Sequence, residues 1–199
     1  MNKEPVINFI RDTLLSSNVS ISRKLLEEIA GHFEPTSFAR NDYFVTAGKV
    51  NTHHFFMTEG FMRAFTYNPE GVEVTTDFFK SNRPVFEATS FITKTRSIEN
   101  IQAITNCEGF LLSSEKSNEL FHALPEFREF GRRMLLNEFA AYKKRTLLLI
   151  TQTAEERYAE LINTNKEIFQ YAHLKHIASY LGITDSSLSR IRKDFSKKQ

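Results

Sequence analysis

The amino-terminal part of the chain has the apolar spacing of two amphipathic helices. Hydrophobic residues recur every three to four positions across residues 3–32, which is the period of a helix face. A serine-rich break divides the segment, and Ser22 is placed to cap the second helix. The residues expected on the buried faces are Val6, Ile7, Phe9, Ile10 and Leu14, then Leu25, Leu26, Ile29 and Phe33.

From about residue 36 to residue 114 the hydrophobic period changes to two, which is typical of β-strands. Two such runs flank Asn68-Pro69-Glu70-Gly71, a turn signal that predicts a hairpin. In the first run, Phe61, Arg63, Phe65 and Tyr67 alternate with Met62, Ala64 and Thr66. In the second run, Val72, Val74 and Phe78 alternate with Glu73, Thr75 and Asp77. Further strands are predicted near 42–46, 53–58, 98–105 and 108–113. Short strands separated by turn residues predict a rolled antiparallel β domain.

One long helix is predicted over residues 126–150, after a boundary at Leu124-Pro125. Apolar residues follow it at spacings of four and three, which is the seam of a coiled coil. The seam consists of Leu135, Phe139, Tyr142, Thr146 and Leu149, and a second stripe consists of Phe130, Met134, Ala141 and Leu148. We expect the second stripe to face the β domain, and Leu135, Phe139, Tyr142 and Leu149 to form a dimer interface. The alternative is a single buried helix with one wide apolar face.

The last part of the chain predicts three helices, of which the final two form a helix-turn-helix. Thr153 and Glu156 have the spacing of a capping box, which opens the first. Gly182 is placed to end the second helix and Thr184 to cap the third, residues 185–195. The expected apolar positions are Tyr158, Leu161 and Ile162, then Leu174, Ile177, Ala178 and Leu181, then Leu188 and Ile191.

The third of these helices has side chains that suit a DNA major groove. Small hydroxylated residues near its start permit close approach, and basic residues follow that meet guanine edges or phosphates. These residues are Ser186, Ser187 and Ser189, then Arg190, Arg192 and Lys193. From His173 onward the net charge is +4, whereas that of the whole chain is +2, so the rest is slightly acidic. The alternative is a generic helical hairpin at a chain end.

Composition adds few constraints. Cys107 is the one cysteine, which excludes an intrachain disulfide and a four-cysteine metal site; we expect it at a strand end. The amino terminus lacks the apolar segment of a signal peptide, and the longest aliphatic run, residues 147–150, is too short to span a membrane. The sequence therefore predicts a cytoplasmic protein with no membrane partner.

The order of these parts resembles the CRP/FNR superfamily of bacterial transcription regulators, most of all its compact members from Bacteroidetes. The resemblance rests on His176-Ile-Ala-Ser-Tyr-Leu-Gly-Ile-Thr184 and Ser187-Leu-Ser-Arg-Ile-Arg192, and on Glu59-Gly-Phe-Met-Arg63 at a strand start. It implies an α+β fold: a β-roll (a double-stranded β-helix) with flanking helices at 1–125, a dimerisation helix at 126–150 and a helix-turn-helix domain at 151–199. It also implies a non-enzymatic homodimer that binds inverted-repeat DNA, with RNA polymerase as a further partner.

The resemblance places DNA contacts at Ser186, Ser189 and Arg190. Family members usually have Glu where Ser186 stands, so a site with a guanine in each half but without the usual consensus is expected. Together with the residue chemistry, the expected DNA-binding set is Thr184, Ser186, Ser187, Ser189, Arg190 and Lys193, with Lys197 and Lys198 near phosphates.

The resemblance also implies a ligand cassette in the β-roll, in which a Gly-Glu pair and a later Arg hold a cyclic nucleotide. The matching residues are Glu87, Arg96 and Ser97, but Phe86 occupies the glycine position. A bulky residue there blocks the close backbone approach that glycine allows. Three possibilities therefore remain: the cassette binds a cyclic nucleotide, it binds another small ligand, or it binds no ligand. The simplest interpretation of Glu87 and Arg96 is a surface ion pair.

Two histidine pairs are weaker candidates for metal sites. His53 and His54 are adjacent on a predicted strand, so they point to opposite faces and do not easily share one metal. His173 and His176 are three apart on a helix, and we expect them on its polar face near phosphate. Two other functional classes stay open: a ligand-binding module without DNA function, and an enzyme with a metal in a cupin-like β-roll.

Overall fold

In a computed structural model of the chain, which describes residues 1–197, the period-two segment forms two four-stranded antiparallel sheets. Their strands are β1 (Glu34–Phe38), β2 (Tyr43–Val45), β3 (His53–Glu59), β4 (Phe61–Tyr67), β5 (Glu73–Lys80), β6 (Arg83–Val85), β7 (Asn100–Ala103) and β8 (Cys107–Ser113). One sheet has the order β1-β8-β3-β6 and the other β2-β7-β4-β5. Because the chain passes repeatedly from one sheet to the other, the pair forms the predicted β-roll.

The helices lie before, within and after this roll. They are α1 (Glu4–Leu15), α2 (Arg23–Gly31), α3 (Ala88–Thr93), α4 (Ser114–Ala123), α5 (Pro125–Thr151), α6 (Ala154–Thr164), α7 (Ile168–Tyr171), α8 (Leu174–Tyr180) and α9 (Asp185–Ser196). The predicted cap of α2 is confirmed, since the Ser22 side chain accepts the N–H of Leu25. The capping box of Thr153 and Glu156 is also present at the start of α6. The apolar spacing does not predict α4 or α7.

The predicted hairpin is formed by β4 and β5, and its turn has the expected geometry. Gly71 has a φ of 76°, and its N–H donates to the carbonyl oxygen of Asn68 at 2.9 Å. The predicted alternation of β5 is wrong, however. Ala64 pairs with Asp77 but Phe65 pairs with Thr75, so a bulge leaves one residue of β5 extra.

Because of this bulge, the residues of β5 between it and the hairpin turn face the side opposite to the predicted one. Thr75 and Phe78, which the alternation put on opposite faces, are both buried, and Val72 is 59% exposed. The face that carries Thr75 and Phe78 is the one on which α8 lies. The Thr75 N–H donates to Ser179 Oγ at 2.9 Å, and Ser179 Oγ donates to the Glu73 carbonyl at 3.4 Å.

The core of the described residues has three parts. The roll interior is filled by side chains such as Phe55, Met57 and Met62. The outer face of the β3 sheet carries Phe56 and is covered by α1, α2 and α5. A third cluster joins the two ends of the molecule, because Phe61 and Phe78 share it with the apolar faces of α6, α8 and α9.

Candidate nucleic-acid interface

The two helices α8 and α9, with the tight turn between them, form the candidate helix-turn-helix. Gly182 has a φ of 69°, which ends α8 at low conformational cost, and the Thr184 side chain accepts the Ser187 N–H at the start of α9. Leu188 and Ile191 are buried against α8. The local sequence therefore determines both the turn and the face of α9 that remains outside.

That outer face carries the predicted DNA-binding residues. Ser187 is half-buried because it is part of the cap, and the others are exposed: Thr184, Ser186, Ser189, Arg190 and Lys193. One turn thus presents hydroxyl groups, and the next presents two cationic side chains. Small donors followed by long cations are what a helix needs to enter a major groove and reach base edges. Lys197 is exposed beyond α9, and Lys198 lies outside the described residues.

Two arginines outside the helix-turn-helix hold the carboxyl end of α8. Arg145 of α5 donates to the Tyr180 carbonyl at 3.3 Å, and its guanidinium carbon lies 3.9 Å from the centre of the Tyr180 ring. Arg157 of α6 donates to the Leu181 carbonyl at 3.1 Å. Cations at a helix carboxyl end satisfy its free carbonyl groups and oppose its dipole. These contacts link the orientation of α8 to the long helix α5.

His176 does not have the expected surface position. It is 9% exposed, with its Nε2 atom 3.9 Å from a carboxylate oxygen of Glu73, and that carboxylate accepts from Arg63 at 2.7 Å. Burial lowers the pKa of His176 to about 4, so the ring is neutral near pH 7. The prediction of a polar-face histidine was wrong because the spacing cannot show that β5 covers this side of α8.

The long helix α5 is free on the side predicted to be a dimer seam. Phe139 is 71% exposed, and exposed apolar side chains continue along the helix at Leu135, Tyr142 and Leu149. Of the second stripe, Phe130 is buried and Met134 is packed against the core, whereas Ala141 is exposed. The alternative of one helix buried in a single subunit is therefore wrong.

The predicted ligand cassette surrounds α3, and its polar groups are already engaged within the chain. Glu87 is buried and caps α3, since its two carboxylate oxygens accept the N–H groups of Thr89 and Ser90 at 3.0 and 2.7 Å. Ser97 is buried and binds the backbone of Glu99, whereas Arg96 is exposed. Phe86 is buried beside them. The Glu87 carboxylate occupies the helix terminus that a phosphate would need, so these residues do not fit a cyclic nucleotide in this arrangement.

His173 is exposed as predicted, with its ring centre 5.6 Å from that of His176, whereas His53 and His54 have separate contacts. His53 accepts or donates through Nδ1 to Thr52 Oγ1 at 2.9 Å, and His54 lies against Phe86 and Phe91. No group of three metal-ligating side chains is found among residues 1–197. Cys107 is buried at the start of β8, where burial raises the pKa of its thiol. Within the same residues, no helix is long and apolar enough to cross a membrane.

Comparison with known proteins agrees with this architecture. Residues 35–123 match the family model of the cyclic nucleotide-binding domain. No curated protein matches the chain by sequence at a significant level.

Several similar solved structures extend beyond this domain and cover most of the chain. FixK2 from Bradyrhizobium japonicum is 15% identical, with a TM-score of 0.69 over 83% of this chain and 85% of that one. The catabolite activator protein of Thermus thermophilus is 16% identical, with a TM-score of 0.57 over 90% and 85%. CLP, a c-di-GMP-responsive global regulator from Xanthomonas campestris, is 14% identical, with a TM-score of 0.68 over 89% and 93%. Residues 35–123 therefore match the cyclic nucleotide-binding domain, and the chain has the fold of solved structures that include one from Eubacterium rectale assigned to the CRP/FNR family of transcriptional regulators.

Proposed function

We propose that this chain is a homodimeric, DNA-binding transcription regulator of the CRP/FNR type and not an enzyme. The observation that carries the proposal is the exposed polar face of α9 on a helix-turn-helix whose turn, cap and core are complete. The proposal includes the division expected from the sequence, with a β-roll sensor at residues 1–125, a dimerisation helix at 126–150 and a DNA-binding domain at 151–199, and RNA polymerase as a further partner.

The dimer part of the proposal is supported by α5. A monomer would leave the apolar side chains of Leu135, Phe139, Tyr142 and Leu149 in water, whereas a parallel copy of α5 covers them with the same residues. Such an arrangement sets two α9 helices in adjacent major grooves, about one helical turn apart. The preferred DNA is then an inverted repeat.

The roles of Arg190 and Lys193 are distinguished by mutation on a preferred duplex. Arg190→Ala removes a bidentate contact to guanine, so it costs about 1–3 kcal/mol and relaxes base preference at one position of each half-site. Lys193→Ala removes a phosphate contact, so it weakens all duplexes alike and lowers the salt dependence of binding by about one ion per subunit. Equilibrium titrations against single-base variants at several salt concentrations measure both effects. Unchanged specificity in Arg190→Ala contradicts the assignment.

A ligand-binding module without DNA function is the second candidate, because the match to the cyclic nucleotide-binding domain covers the β-roll alone. It predicts that neither substitution changes any affinity, and that DNA binding is weak and independent of sequence. Ligand control is also part of the proposal, although the engaged Glu87 carboxylate argues against a cyclic nucleotide as the effector. Titration of cyclic nucleotides into the protein tests this directly.

A further inference from the structure

A cavity of about 160 Å³ lies outside the β-roll interior, between the β3 sheet and the helices that cover it. His54, Phe56 and Leu112 form its floor; they share the outer face of the sheet, since His54 pairs with Leu112 in the β3–β8 register. Helices α1, α4 and α5 form the walls. The cassette's polar residues Glu87, Arg96 and Ser97 do not line this cavity, although Phe86, which occupies the cassette's glycine position, does.

Phenylalanines make up nearly half of the residues in the walls of this cavity. Phenylalanines from α1, α4 and α5 line the cavity together with one that precedes α3 and one within α3. In chain order the six residues are Phe9, Phe86, Phe91, Phe121, Phe127 and Phe130. Flat rings on several sides suit a flat aromatic guest, which gains edge-to-face and offset contacts. An apolar cavity of about 150 Å³ is known to stay dry and to accept benzene, so this volume suits one aromatic ring with a short substituent.

His54 adds one polar group to this apolar surface. Its ring centre is 3.8 Å from that of Phe91 and 5.1 Å from that of Phe86. Burial, and then the charge of Lys94, lower the pKa of His54 to about 3, so the ring is neutral. Its Nδ1 atom is buried and has no hydrogen-bond partner within residues 1–197. A buried N–H without a partner is costlier than a bare nitrogen, so we assign the proton to Nε2, the ring nitrogen that is not fully buried and can reach a guest.

We propose that this cavity binds a small aromatic molecule that carries one hydrogen-bond acceptor, such as a ketone, and that Nε2–H of His54 donates to that acceptor. Binding in this cavity does not depend on the proposed function, but its effect on the dimer does. Gly131, Met134 and Leu135 of α5 line the cavity, and Leu135 also belongs to the dimer seam. A bound ring therefore contacts the helix that would set the relative pose of two subunits.

The test uses acetophenone and ethylbenzene as probes, because the two have similar shape and only the first has an acceptor. Acetophenone at tenfold excess over its Kd raises the Tm of the full chain by roughly 3–6 °C. His54→Phe keeps the ring and removes the donor, so it weakens acetophenone binding roughly 2- to 12-fold and leaves ethylbenzene unchanged. A wild-type protein that responds to neither probe overturns the proposal, and so does equal loss of both probes in His54→Phe.

Two substitutions at one position locate the binding. A Cβ atom at Gly131 meets only Phe121 carbons, at 3.6 Å, so Gly131→Ala fits and keeps most of the cavity. Gly131→Leu places a larger side chain in the cavity with similar helix propensity, and we expect it to abolish binding of both probes. Equal binding to the two variants overturns the site.

Methionine methyl signals in NMR spectra give a readout that needs no variant. Acetophenone shifts the Met134 methyl group, which lines the cavity, and leaves Met57 and Met62, which lie inside the roll, unchanged. Shifts at Met57 and Met62 instead place the probe inside the roll and overturn the proposal. All these measurements are made without DNA, so failure to bind acetophenone contradicts the cavity alone, and failure to select DNA contradicts the proposed function alone.

Discussion

Phe139→Asp on α5 is expected to convert a dimer into a folded monomer. Phe139 is 71% exposed within one chain, so the substitution removes little packing from the subunit itself. It adds a negative charge at the middle of the proposed seam, where a copy of the same residue stands opposite.

The magnitude follows from the exposed area. A phenylalanine side chain offers about 200 Å², of which roughly 140 Å² remains to be covered in each subunit, or about 280 Å² in a dimer. At about 25 cal/mol per Å² this area is worth about 7 kcal/mol as an upper limit. Half of that value still weakens the dimer more than 100-fold, before the repulsion between two aspartates is counted.

Sedimentation velocity at micromolar concentration measures the change, with circular dichroism to confirm the helical content. Leu15→Asp on α1 is the matched control, because Leu15 is 54% exposed and lies outside the seam. The control remains a dimer. A Phe139→Asp protein that sediments as a dimer at the same concentration refutes the seam.

Three further substitutions test local physical arguments. Burial raises the pKa of Asp77 to about 6, so the folded state binds that proton more tightly than the unfolded chain, and the contribution of Asp77 to stability falls as the pH rises from about 4 to above 6. Glu99, whose pKa burial also raises, acts in the same direction, whereas His54 and His176, whose pKa values burial lowers, act in the opposite one. Asp77→Asn removes the Asp77 contribution, so relative to the wild type its stability in urea titrations increases as the pH rises across that range; an unchanged pH dependence contradicts the assignment. Gly182→Ala costs about 1–2 kcal/mol for backbone conformation alone, because its Cβ meets only Leu149 at 3.7 Å; a neutral result in urea denaturation argues against a strained turn. Glu87→Gln loses one of two cap hydrogen bonds and lowers stability by about 1 kcal/mol in the same assay, whereas no loss would mean that the carboxylate does not cap α3.

The elements determined by local chemistry were predictable from the sequence. The turn after Asn68 and the caps at Ser22, Thr153 and Thr184 depend on neighbouring residues, so short motifs reveal them. The exposure of Arg190 on α9 follows in the same way, because Leu188 and Ile191 fix which face is buried.

Tertiary contacts between distant segments were not predictable in this way. Arg63 is 2% exposed because Glu73 and Thr75 of β5 meet its guanidinium and α8 covers the strand, whereas alternation alone treats it as one member of a face. The bulge in β5 shifts the faces by one residue without any glycine or proline to signal it. The burial of His176 and the aromatic cavity beside His54 likewise depend on which helix lies over which sheet.

Selection of bound sequences from a random duplex pool by the purified protein tests the central claim most directly, with Arg190→Ala in parallel. The proposed function predicts an enriched inverted repeat whose half-sites are centred about 10 base pairs apart, with a guanine in each half that the variant no longer selects. Enrichment of no sequence, or of one that Arg190→Ala selects equally well, would contradict the assignment of α9 as a recognition helix.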